Sequence, residues 1–319
     1  MADNNAAVET AHTGMGTEMA HKAYGRYAMT ALQAVEKEAQ RLEHLLSRYH
    51  PESDVSRINR SAGIKHKKIS SETNEILLHA MECSIKSRGL FDITIGPLAD
   101  LWDYKHALEP PAKNKIEQLL TLINYNDVEL DTVKKTAKLK KSGQSIDLGG
   151  IGKGFASDRF MEIFQEYGVE SAFSNIGGNV STLGNKADGS PWIVGIRHPR
   201  LNELLGAVAV TGKAVVTSGD YERYFFDKEG NRFHHILNPI TGYPAESGLV
   251  SVSIVADSAM TADALSTAVF VAGLEKGLAL IEKYSNTEAI LVDEKLRVYV
   301  TQGLRQSFRA SDEINVYYI

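Results

Sequence analysis

The chain has little cysteine, no long apolar run and no excess of positive charge. Its only cysteine, Cys83, excludes an internal disulfide framework and a zinc site built from several thiolates, and its place in a helical pattern predicts a buried thiol. No apolar stretch approaches the roughly 20 residues that a membrane-spanning helix needs. The net charge of −5 provides no global basic field for nucleic acid, so local donors or a metal ion must hold any polyanionic ligand.

The amino-terminal stretch MADNNAAVETAHTG lacks the charged and apolar regions of a secretory signal. We therefore expect residues 1–12 to be a polar tail and the chain as it stands to be cytoplasmic. The same sequence would fit a protein of the cell envelope or periplasm if an amino-terminal lipoprotein signal had been trimmed. With 319 residues, of which 43 % are hydrophobic, the chain can bury a sizeable core in one large domain or two moderate ones.

Hydrophobic spacing predicts helices and strands without a regular alternation. It predicts helices from Thr30 to Tyr49, from Ser71 onward and along FASDRFMEIFQEYG. HPESDVSRIN is predicted to be a loop, and Pro97 is expected to stop any regular element in its stretch. One strand is predicted within TGMGTEMAHKAYGRYA and another in SIDLGG, and strands dominate the second half of the chain. This mixture favours an α+β fold over a doubly wound sheet.

The stretch DLGGIGKGFASD, residues 147–158, places four glycines and one lysine between two aspartates. Bare backbone beside a cation, where a helix begins, is typical of a phosphate site. The stretch is not a P-loop, because Gly152-Lys153 is followed by Gly154 instead of Ser or Thr, and it does not match GxGxxG. On this motif alone, a tight turn between a strand and a helix is an equal alternative.

Two further motifs contain groups that could act in chemistry. In DALSTA, Asp263 and Thr267 share one helix face, where a carboxylate and a hydroxyl could bind a hard cation such as Mg²⁺. The motif alone favours the alternative, an acidic residue near a helix start with an inward threonine. In HHILNPITGYP, His234 and His235 alternate across a predicted strand, so only one can face a cleft as a general base. A structural histidine before a turn is equally compatible.

The order of these motifs resembles that of the ApbE family of FAD:protein FMN transferases. The resemblance runs from about residue 13 to about residue 300 and rests on GMGT, SRYHPESDVSRIN, GLFDITIGPLADLW, IDLGGIGKGFASD, NIGGN, TSGDYERYF, HHILNPITGYP and ADALSTA. It implies a single α+β domain, residues 13–319, whose mixed or antiparallel sheets and flanking helices form two lobes around an FAD cleft. It also implies an Mg²⁺-dependent transferase that cleaves the pyrophosphate of its substrate FAD, transfers FMN to a Thr or Ser hydroxyl of an acceptor flavoprotein and releases AMP.

The resemblance implies roles for particular residues. His235 is implied as the general base. The implied metal ligands are the carbonyl of Gly150 and the side chains of Asp263 and Thr267, and Ser266 is close enough to be an extra ligand. The positions implied to bind FAD are Met15, Tyr49, Leu90, Phe91, Asp92, Asp147, Lys153 and Leu237.

Two other functions remain compatible with the sequence. In an FAD pyrophosphatase, water would replace the acceptor hydroxyl at the same metal site and give FMN and AMP. A flavin-binding carrier without catalysis would need no base, and the set of His235, Asp263 and Thr267 argues against it. Many relatives are exported lipoproteins, whereas this chain shows no signal and no lipid-attachment cysteine, which puts its compartment in doubt.

Overall fold

The computed structural model describes residues 7–312 and 314–319. In this part of the chain the α-helices are α1 (Ala28–Leu46), α2 (Asp54–Arg60), α3 (Ser71–Lys86), α4 (Gly96–Trp102), α5 (Lys113–Leu120), α6 (Gly152–Glu166), α7 (Ala259–Ala272) and α8 (Leu274–Ile281). The β-strands are β1 (Ala7–Gly14), β2 (Thr17–Tyr24), β3 (Lys67–Lys68), β4 (Val128–Asp131), β5 (Thr136–Leu139), β6 (Ala172–Ile176), β7 (Asn179–Leu183), β8 (Trp192–Arg197), β9 (Leu204–Val210), β10 (Ala214–Gly219), β11 (Tyr224–Phe226), β12 (Arg232–His234), β13 (Leu249–Ala256), β14 (Glu288–Asp293), β15 (Val298–Val300), β16 (Phe308–Ala310) and β17 (Val316–Tyr318).

A nine-stranded sheet organises the molecule, with the strand order β1-β2-β6-β7-β10-β13-β14-β15-β17. Its neighbours are antiparallel except for β15 and β17, which run parallel. Helices α1, α6 and α7 pack on one face of this sheet. A three-stranded sheet, β16-β9-β8, packs on the other face through a second apolar cluster. The predicted α+β class is therefore confirmed.

The centre of the sheet is covered on both sides. All eight residues of β13 are buried, including Ser251 and Ser253, which alternate with apolar residues in LVSVSIVA. The helix above it, α7, is apolar around most of its circumference because it packs against strands and against other helices. Asp263 is a charged side chain inside this apolar helix, and it is only 4 % exposed.

Helices α6 and α7 approach closely at Gly154. A Cβ built on Gly154 would lie 2.7 Å from the Cβ of Asp263 and would also overlap the carbonyl oxygen of Ala259. Because no side chain intervenes, the backbone N–H of Gly154 donates directly to Oδ2 of Asp263, at 2.8 Å. Glycine is therefore required at this position by the distance between the two helices.

The start of α7 is also held by α6. The carboxylate of Asp158 accepts hydrogen bonds from the Ser258 hydroxyl at 2.7 Å and from the backbone N–H groups of Ala259 and Met260 at 2.6 and 2.9 Å. An anion at this position satisfies the free N–H groups of the helix end and favours its dipole. The pairing fixes the position of α7 along the axis of α6.

Several predicted elements are confirmed. The helix expected between Thr30 and Tyr49 is α1, and the helix expected from Ser71 is α3. Cys83 is buried on α3 as expected, and burial raises the pKa of its thiol to about 12. The apolar face of α6 also lies in the core, where Phe160 and Phe164 are fully buried.

Two predictions about the first 100 residues were wrong. HPESDVSRIN is not a loop throughout, because α2 forms inside it, with the Ser53 hydroxyl accepting the N–H of Ser56 as an N-cap. Pro97 does not stop a regular element but lies in the first turn of α4. Proline is well accepted there because its missing N–H would have no partner in the helix.

The ends of three predicted elements also differ from the structure. Of the predicted polar tail, residues 1–6 lie outside the described residues, whereas residues 7–12 belong to β1 and pair with β2. SIDLGG forms no strand, since its only ladder contact is an isolated bridge from Ser145 to Ile95 and its two glycines lie in a turn. The strand predicted in FHHILNP ends at His234, where the chain turns away from β11.

An aromatic cluster fixes the hairpin of β11 and β12 near one end of the sheet. The indole of Trp102 stacks on Tyr104 and lies against Phe225 and Phe233. Its Nε1–H donates to the carbonyl of Gly242 at 2.8 Å. This contact anchors the segment that follows β12, which contains His235. Every helix in residues 7–312 and 314–319 is too short or too polar to cross a bilayer.

We expect Gly154→Ala to lower the free energy of unfolding by about 1–3 kcal/mol, because the added methyl group overpacks the contact between α6 and α7. Urea unfolding followed by circular dichroism measures this loss. The control is Gly152→Ala, since a Cβ there would meet its neighbours at 3.9 Å, an ordinary contact. Equal stability of the two variants would contradict the close packing assigned to Gly154.

Candidate active site

The glycine-rich turn before α6 is closed by its own backbone and by Asp147. The carbonyl of Leu148 accepts the N–H groups of Ile151 at 3.1 Å and Gly152 at 2.7 Å. Oδ1 of Asp147 accepts the N–H of Gly149 at 2.7 Å, which forms an Asx turn. The turn is thus held by three hydrogen bonds of its own, and it leads directly into the amino-terminal end of α6.

The glycine-rich turn, the Phe91 segment and α7 meet at Gly150. A Cβ built on Gly150 would lie 3.2 Å from Cε2 of Phe91 and 3.5 Å from Oγ1 of Thr267. The absence of a side chain leaves room for these groups to approach. The three predicted metal positions, Gly150, Asp263 and Thr267, are therefore brought to one place from segments more than 100 residues apart.

The side chains of α7 at this place are held in fixed orientations. One oxygen of Asp263 accepts from Gly154, and the other faces Nζ of Lys153 at 3.9 Å. Oγ1 of Thr267 lies 3.3 Å from the hydroxyl of Ser218 on β10. Ser266 is fully buried, and its hydroxyl contacts the carbonyl of Asp263 at 2.9 Å and Ser218 at 2.8 Å. Ser266 therefore orients this pair through hydrogen bonds.

These oxygens fit a hard divalent cation. A carboxylate, a hydroxyl and a backbone carbonyl are ligands that Mg²⁺ accepts, and Mg²⁺ keeps several other positions for water or for ligand oxygens. In the described residues no group of three or more His, Cys, Asp or Glu side chains could hold a metal ion. With Asp263 as its single carboxylate, the set suits a cation that arrives with an anionic ligand.

Arg48 connects the glycine-rich turn to two other elements, and the sequence analysis missed it. Its guanidinium donates to Oδ2 of Asp147 at 2.7 Å and to Oδ2 of Asp100 on α4 at 2.6 Å. Only 9 % of the Arg48 side chain is exposed. Tyr49 beside it is 79 % exposed, and its ring lies 5.7 Å from the guanidinium carbon. Arg48 belongs to the SRY residues of the motif SRYHPESDVSRIN, but the two aspartates that it binds are 52 and 99 residues away in the sequence.

Three other residues predicted to bind FAD differ in burial and in distance from the glycine-rich turn. Met15 lies in the turn between β1 and β2, and its Cε would be 3.9 Å from a Cβ at Gly152. Leu90 is half-buried against the main core, next to Phe91. Leu237 is buried with the Trp102 cluster.

Asp92 is bound within its own loop. Its carboxylate accepts from the N–H and hydroxyl of Thr94 at 2.8 and 2.7 Å, and from the N–H of Tyr125 at 2.8 Å. Burial raises the pKa of this carboxyl, and these hydrogen bonds partly oppose that effect. Asp92 therefore shapes the segment that presents Phe91.

His235 is placed with one ring nitrogen available. Its Nδ1 lies 3.2 Å from the carbonyl of Arg223, a group that can only accept, so Nδ1 carries the hydrogen in the neutral ring. Nε2 then holds the free lone pair, and no hydrogen bond within the described residues involves it. Burial, followed by the charge of Arg223, lowers the pKa of His235 to about 4, and the charge of Lys153 contributes in the same direction. The ring is thus neutral at pH 7 and within electrostatic range of Lys153.

The neighbouring His234 has both nitrogens engaged. Nε2 contacts the carbonyl of Ala245 at 3.1 Å, and Nδ1 accepts the N–H of Ile236 at 3.3 Å. Its ring packs edge-on against Phe270 of α7. Burial lowers the pKa of His234 as well. This environment is that of a structural histidine.

Asp220, which could have served as another base, is bound by two arginines. Arg200 donates to both carboxylate oxygens at 2.7 Å, and Arg232 donates to Oδ2 at 3.0 Å. Asp220 is 7 % exposed. The resulting ion pairs fasten β12 and the residues before β11, so Asp220 positions the hairpin that leads to His235.

The arrangement combines three chemical abilities. The oxygens of Gly150, Asp263 and Thr267 can hold a cation, and the ammonium group of Lys153, at the positive end of the α6 dipole, can attract phosphate oxygens. The free Nε2 of His235 can accept a proton from a hydroxyl group. Such a set suits the attack of a hydroxyl on a phosphate ester or anhydride.

Comparisons with known proteins agree with this chemistry. Residues 15–291 match the ApbE family. The FAD:protein FMN transferase of Klebsiella pneumoniae (strain 342) is 34 % identical over 275 residues, which cover 85 % of each chain. That of Treponema pallidum (strain Nichols) is 33 % identical over 299 residues, which cover 88 % of this chain and 82 % of the relative.

Solved structures show the same fold. The ApbE protein from Thermotoga maritima has a TM-score of 0.88 and 32 % identity, and the alignment covers 95 % of this chain and 100 % of that protein. The flavin transferase ApbE from Vibrio cholerae has a TM-score of 0.82 at 24 % identity, covering 96 % of this chain and 97 % of that one.

We expect His235 to titrate near pH 4, because burial and nearby cations disfavour its charged form. At pH 7 it should be the Nδ1–H tautomer, because Nδ1 faces the carbonyl of Arg223. Imidazole NMR measures both properties. Arg223→Gln removes a cation but keeps the carbonyl that fixes the tautomer, so it should raise the pKa of His235. Titration near the ordinary value of 6.5 in the parent protein would contradict the assigned environment.

Proposed function

The chain belongs to the ApbE family, and on this premise we propose that it is an FAD:protein FMN transferase acting on an acceptor flavoprotein. The hydroxyl oxygen of an acceptor Thr or Ser attacks the phosphorus on the FMN side of FAD. A P–O bond forms, the bond from that phosphorus to the bridging oxygen breaks, and AMP leaves with the bridging oxygen. The hydroxyl proton passes to Nε2 of His235.

The observation that most supports this proposal is the meeting of an anion site and a free base. Lys153 and the amino-terminal end of α6 lie beside Asp263, and the charge of Lys153 also reaches His235. The charge of Lys153 and the positive end of the α6 dipole would oppose the negative charge that builds up on the pyrophosphate. Binding alone would not need a proton acceptor at the same place.

Magnesium fits the oxygens of this site and is part of the proposal. Gly150, through its carbonyl, and the side chains of Asp263 and Thr267 would hold it, and phosphate oxygens would complete its coordination. When bound, Mg²⁺ would neutralise charge on the pyrophosphate. The hydroxyl groups of Ser218 and Ser266 hold Asp263 and Thr267 in position. Ser218 contacts Thr267, and Ser266 contacts Ser218 and the carbonyl of Asp263.

The walls of the proposed FAD cleft are assigned to groups with different tasks. Met15 and the exposed Tyr49 offer apolar or aromatic surface to the flavin and adenine portions, whereas the buried Phe91 supports the glycine-rich turn at Gly150. Asp147 is fixed by Arg48 and has one oxygen bound to Gly149, so it can accept from a ligand only in a fixed direction. We assign Leu90, Asp92 and Leu237 to supporting these walls, because their own contacts are with the core or with their loop.

We expect an acceptor domain with an accessible Thr to gain the mass of FMN minus one water when it is incubated with this protein, FAD and Mg²⁺. Intact-protein mass spectrometry measures the gain, and excess chelator should abolish it. Release of FMN and AMP without a gain would indicate the hydrolase instead, and unchanged FAD would indicate a carrier.

A matched pair of variants tests the metal site in the same assay. Asp263→Asn keeps the acceptor for Gly154 N–H but removes the charge, so transfer should fall by about 10²-fold or more while FAD binding falls less. Asp257→Asn is the control, since Asp257 is an exposed partner of Lys213 before the same helix. Equal losses of FAD binding and of rate in Asp263→Asn would mean that Asp263 is only structural.

We expect His235→Ala to bind FAD almost normally and to transfer FMN about 10²–10⁴-fold more slowly, because the acceptor hydroxyl loses its base. His234→Gln is the control and should keep most activity. The base acts when neutral, so kcat/KM of the parent should stay high at pH 7 and fall as the pH drops towards 4. This acid limb should be absent from His235→Ala, and a limb of unchanged position in that variant would assign the base elsewhere.

A further inference from the structure

The outer edge of β1 consists of backbone groups that face away from the sheet. The N–H of Tyr24 donates to Ser171, and the carbonyl of Glu18 accepts from Gly177, so these residues of β2 use their backbone towards β6. Backbone N–H and C=O groups of successive residues point to opposite sides of a strand, so the alternate residues of β2, Thr17, Met19, His21 and Ala23, bond to β1. Those β1 partners are Val8, Thr10, His12 and Gly14. The N–H and C=O groups that point outward belong to Ala7, Glu9, Ala11 and Thr13, and we call these four residues the open edge of β1.

The open edge has few of the features that usually protect a strand edge. Edge strands are commonly short, bulged, or interrupted by proline or lysine. Strand β1 has eight residues, AVETAHTG, and pairs with β2 in unbroken register over its whole length. Glu9 is its one charged side chain. Within the described residues, no strand pairs with this edge.

The open edge leads to the candidate active site. The chain leaves β1 at Gly14 and turns through Met15 and Gly16, both with positive φ, of 50° and 74°. Met15 contacts the start of α6 near Gly152. A polypeptide segment that paired with β1 would therefore arrive at the place where the glycine-rich turn and α7 meet.

The surface beside the open edge is concave. Two adjoining depressions, of about 560 and 380 Å³, lie over β1, β2 and β6, and both are lined by Ala11 and Ala20. These small side chains leave space above the sheet. An added strand places alternate side chains on that face, where such depressions can receive them.

We propose that the open edge of β1 binds the acceptor flavoprotein, whose extended segment around the Thr or Ser pairs with it as an added strand. This inference rests on the proposed function. The acceptor is the favoured occupant because the edge ends at the reaction site and because an enzyme for a protein substrate must hold a stretch of main chain. Main-chain hydrogen bonds also tolerate different side chains around the hydroxyl. A second copy of this chain paired edge to edge is the other possible occupant.

The test uses a substitution that removes an outward N–H and keeps the hydrogen bonds between β1 and β2. Ala11→Pro removes an N–H that the β1–β2 ladder does not use, and proline is compatible with an edge strand at such a position. Ala11→Ser keeps the N–H and serves as the matched control. We expect Ala11→Pro to raise KM for the acceptor about tenfold or more, while FAD binding, far-UV circular dichroism and the values for Ala11→Ser stay near those of the parent.

The outcomes separate this inference from the proposed function. If the parent transfers FMN and Ala11→Pro does so with the same acceptor KM, the docking edge is wrong and the transferase remains. If the parent transfers no FMN to any acceptor, both fail.

Amide hydrogen exchange of the parent protein gives a second measurement in case Ala11→Pro does not fold. Adding the acceptor should slow exchange at Glu9, Ala11 and Thr13. Protection that rises with enzyme concentration without acceptor would assign the edge to a second copy, and unchanged exchange in the acceptor complex would overturn the inference.

Discussion

Across the closest approach of two buried helices, the N–H of Gly154 donates to the carboxylate of Asp263. A buried carboxylate costs several kcal/mol of stability unless hydrogen bonds and positive charge compensate it. Here the hydrogen bond from Gly154, the third residue of α6, the positive end of the α6 dipole and the ammonium group of Lys153 provide that compensation. The same hydrogen bond fixes which oxygen of Asp263 is used inside the fold and which faces the site. The positions of Thr267 and Gly150 follow, because α7 and the glycine-rich turn are attached to these two helices.

The site balances positive and negative groups over a short distance. Asp147 is paired with Arg48, and Asp263 faces Lys153, so each carboxylate has a cation as a neighbour. His235 lies among positive groups, and its lowered pKa keeps the ring neutral at pH 7. Nε2 therefore keeps its lone pair. An anionic ligand with an accompanying cation changes this balance little, because each charge that enters meets its opposite.

Local patterns predicted the elements with strong periodicity and failed where the deciding contacts are distant. The phenylalanines of α6 and the apolar face of α3 recur at helical spacing, so both helices could be predicted. Strand β1 was missed because AVETAHTG alternates between small and polar residues with little hydrophobic contrast. The segment of α2 has a capping serine, Ser53, but too few apolar residues to reveal a period.

The same distinction holds for the site. The motifs around Gly150, Asp263 and His235 could be found in the sequence because each contains unusual residues at short spacing. Arg48 could not be paired with Asp147, since nothing local indicates a contact across 99 residues. The tautomer of His235 was equally inaccessible, because it depends on a carbonyl oxygen of Arg223 that any residue at that position would supply.

The strand order of the large sheet has a consequence for the chain while it is being synthesised. The hairpin of β1 and β2 leaves the ribosome about 150 residues before its inner neighbour β6, since Met19 pairs with Ile176. At typical translation speeds of about 5–20 residues per second, this delay is about 8–30 s. During that time the edge of β2 that will pair with β6 is open in the nascent chain, so the hairpin is exposed to pairing with other chains until β6 has been made.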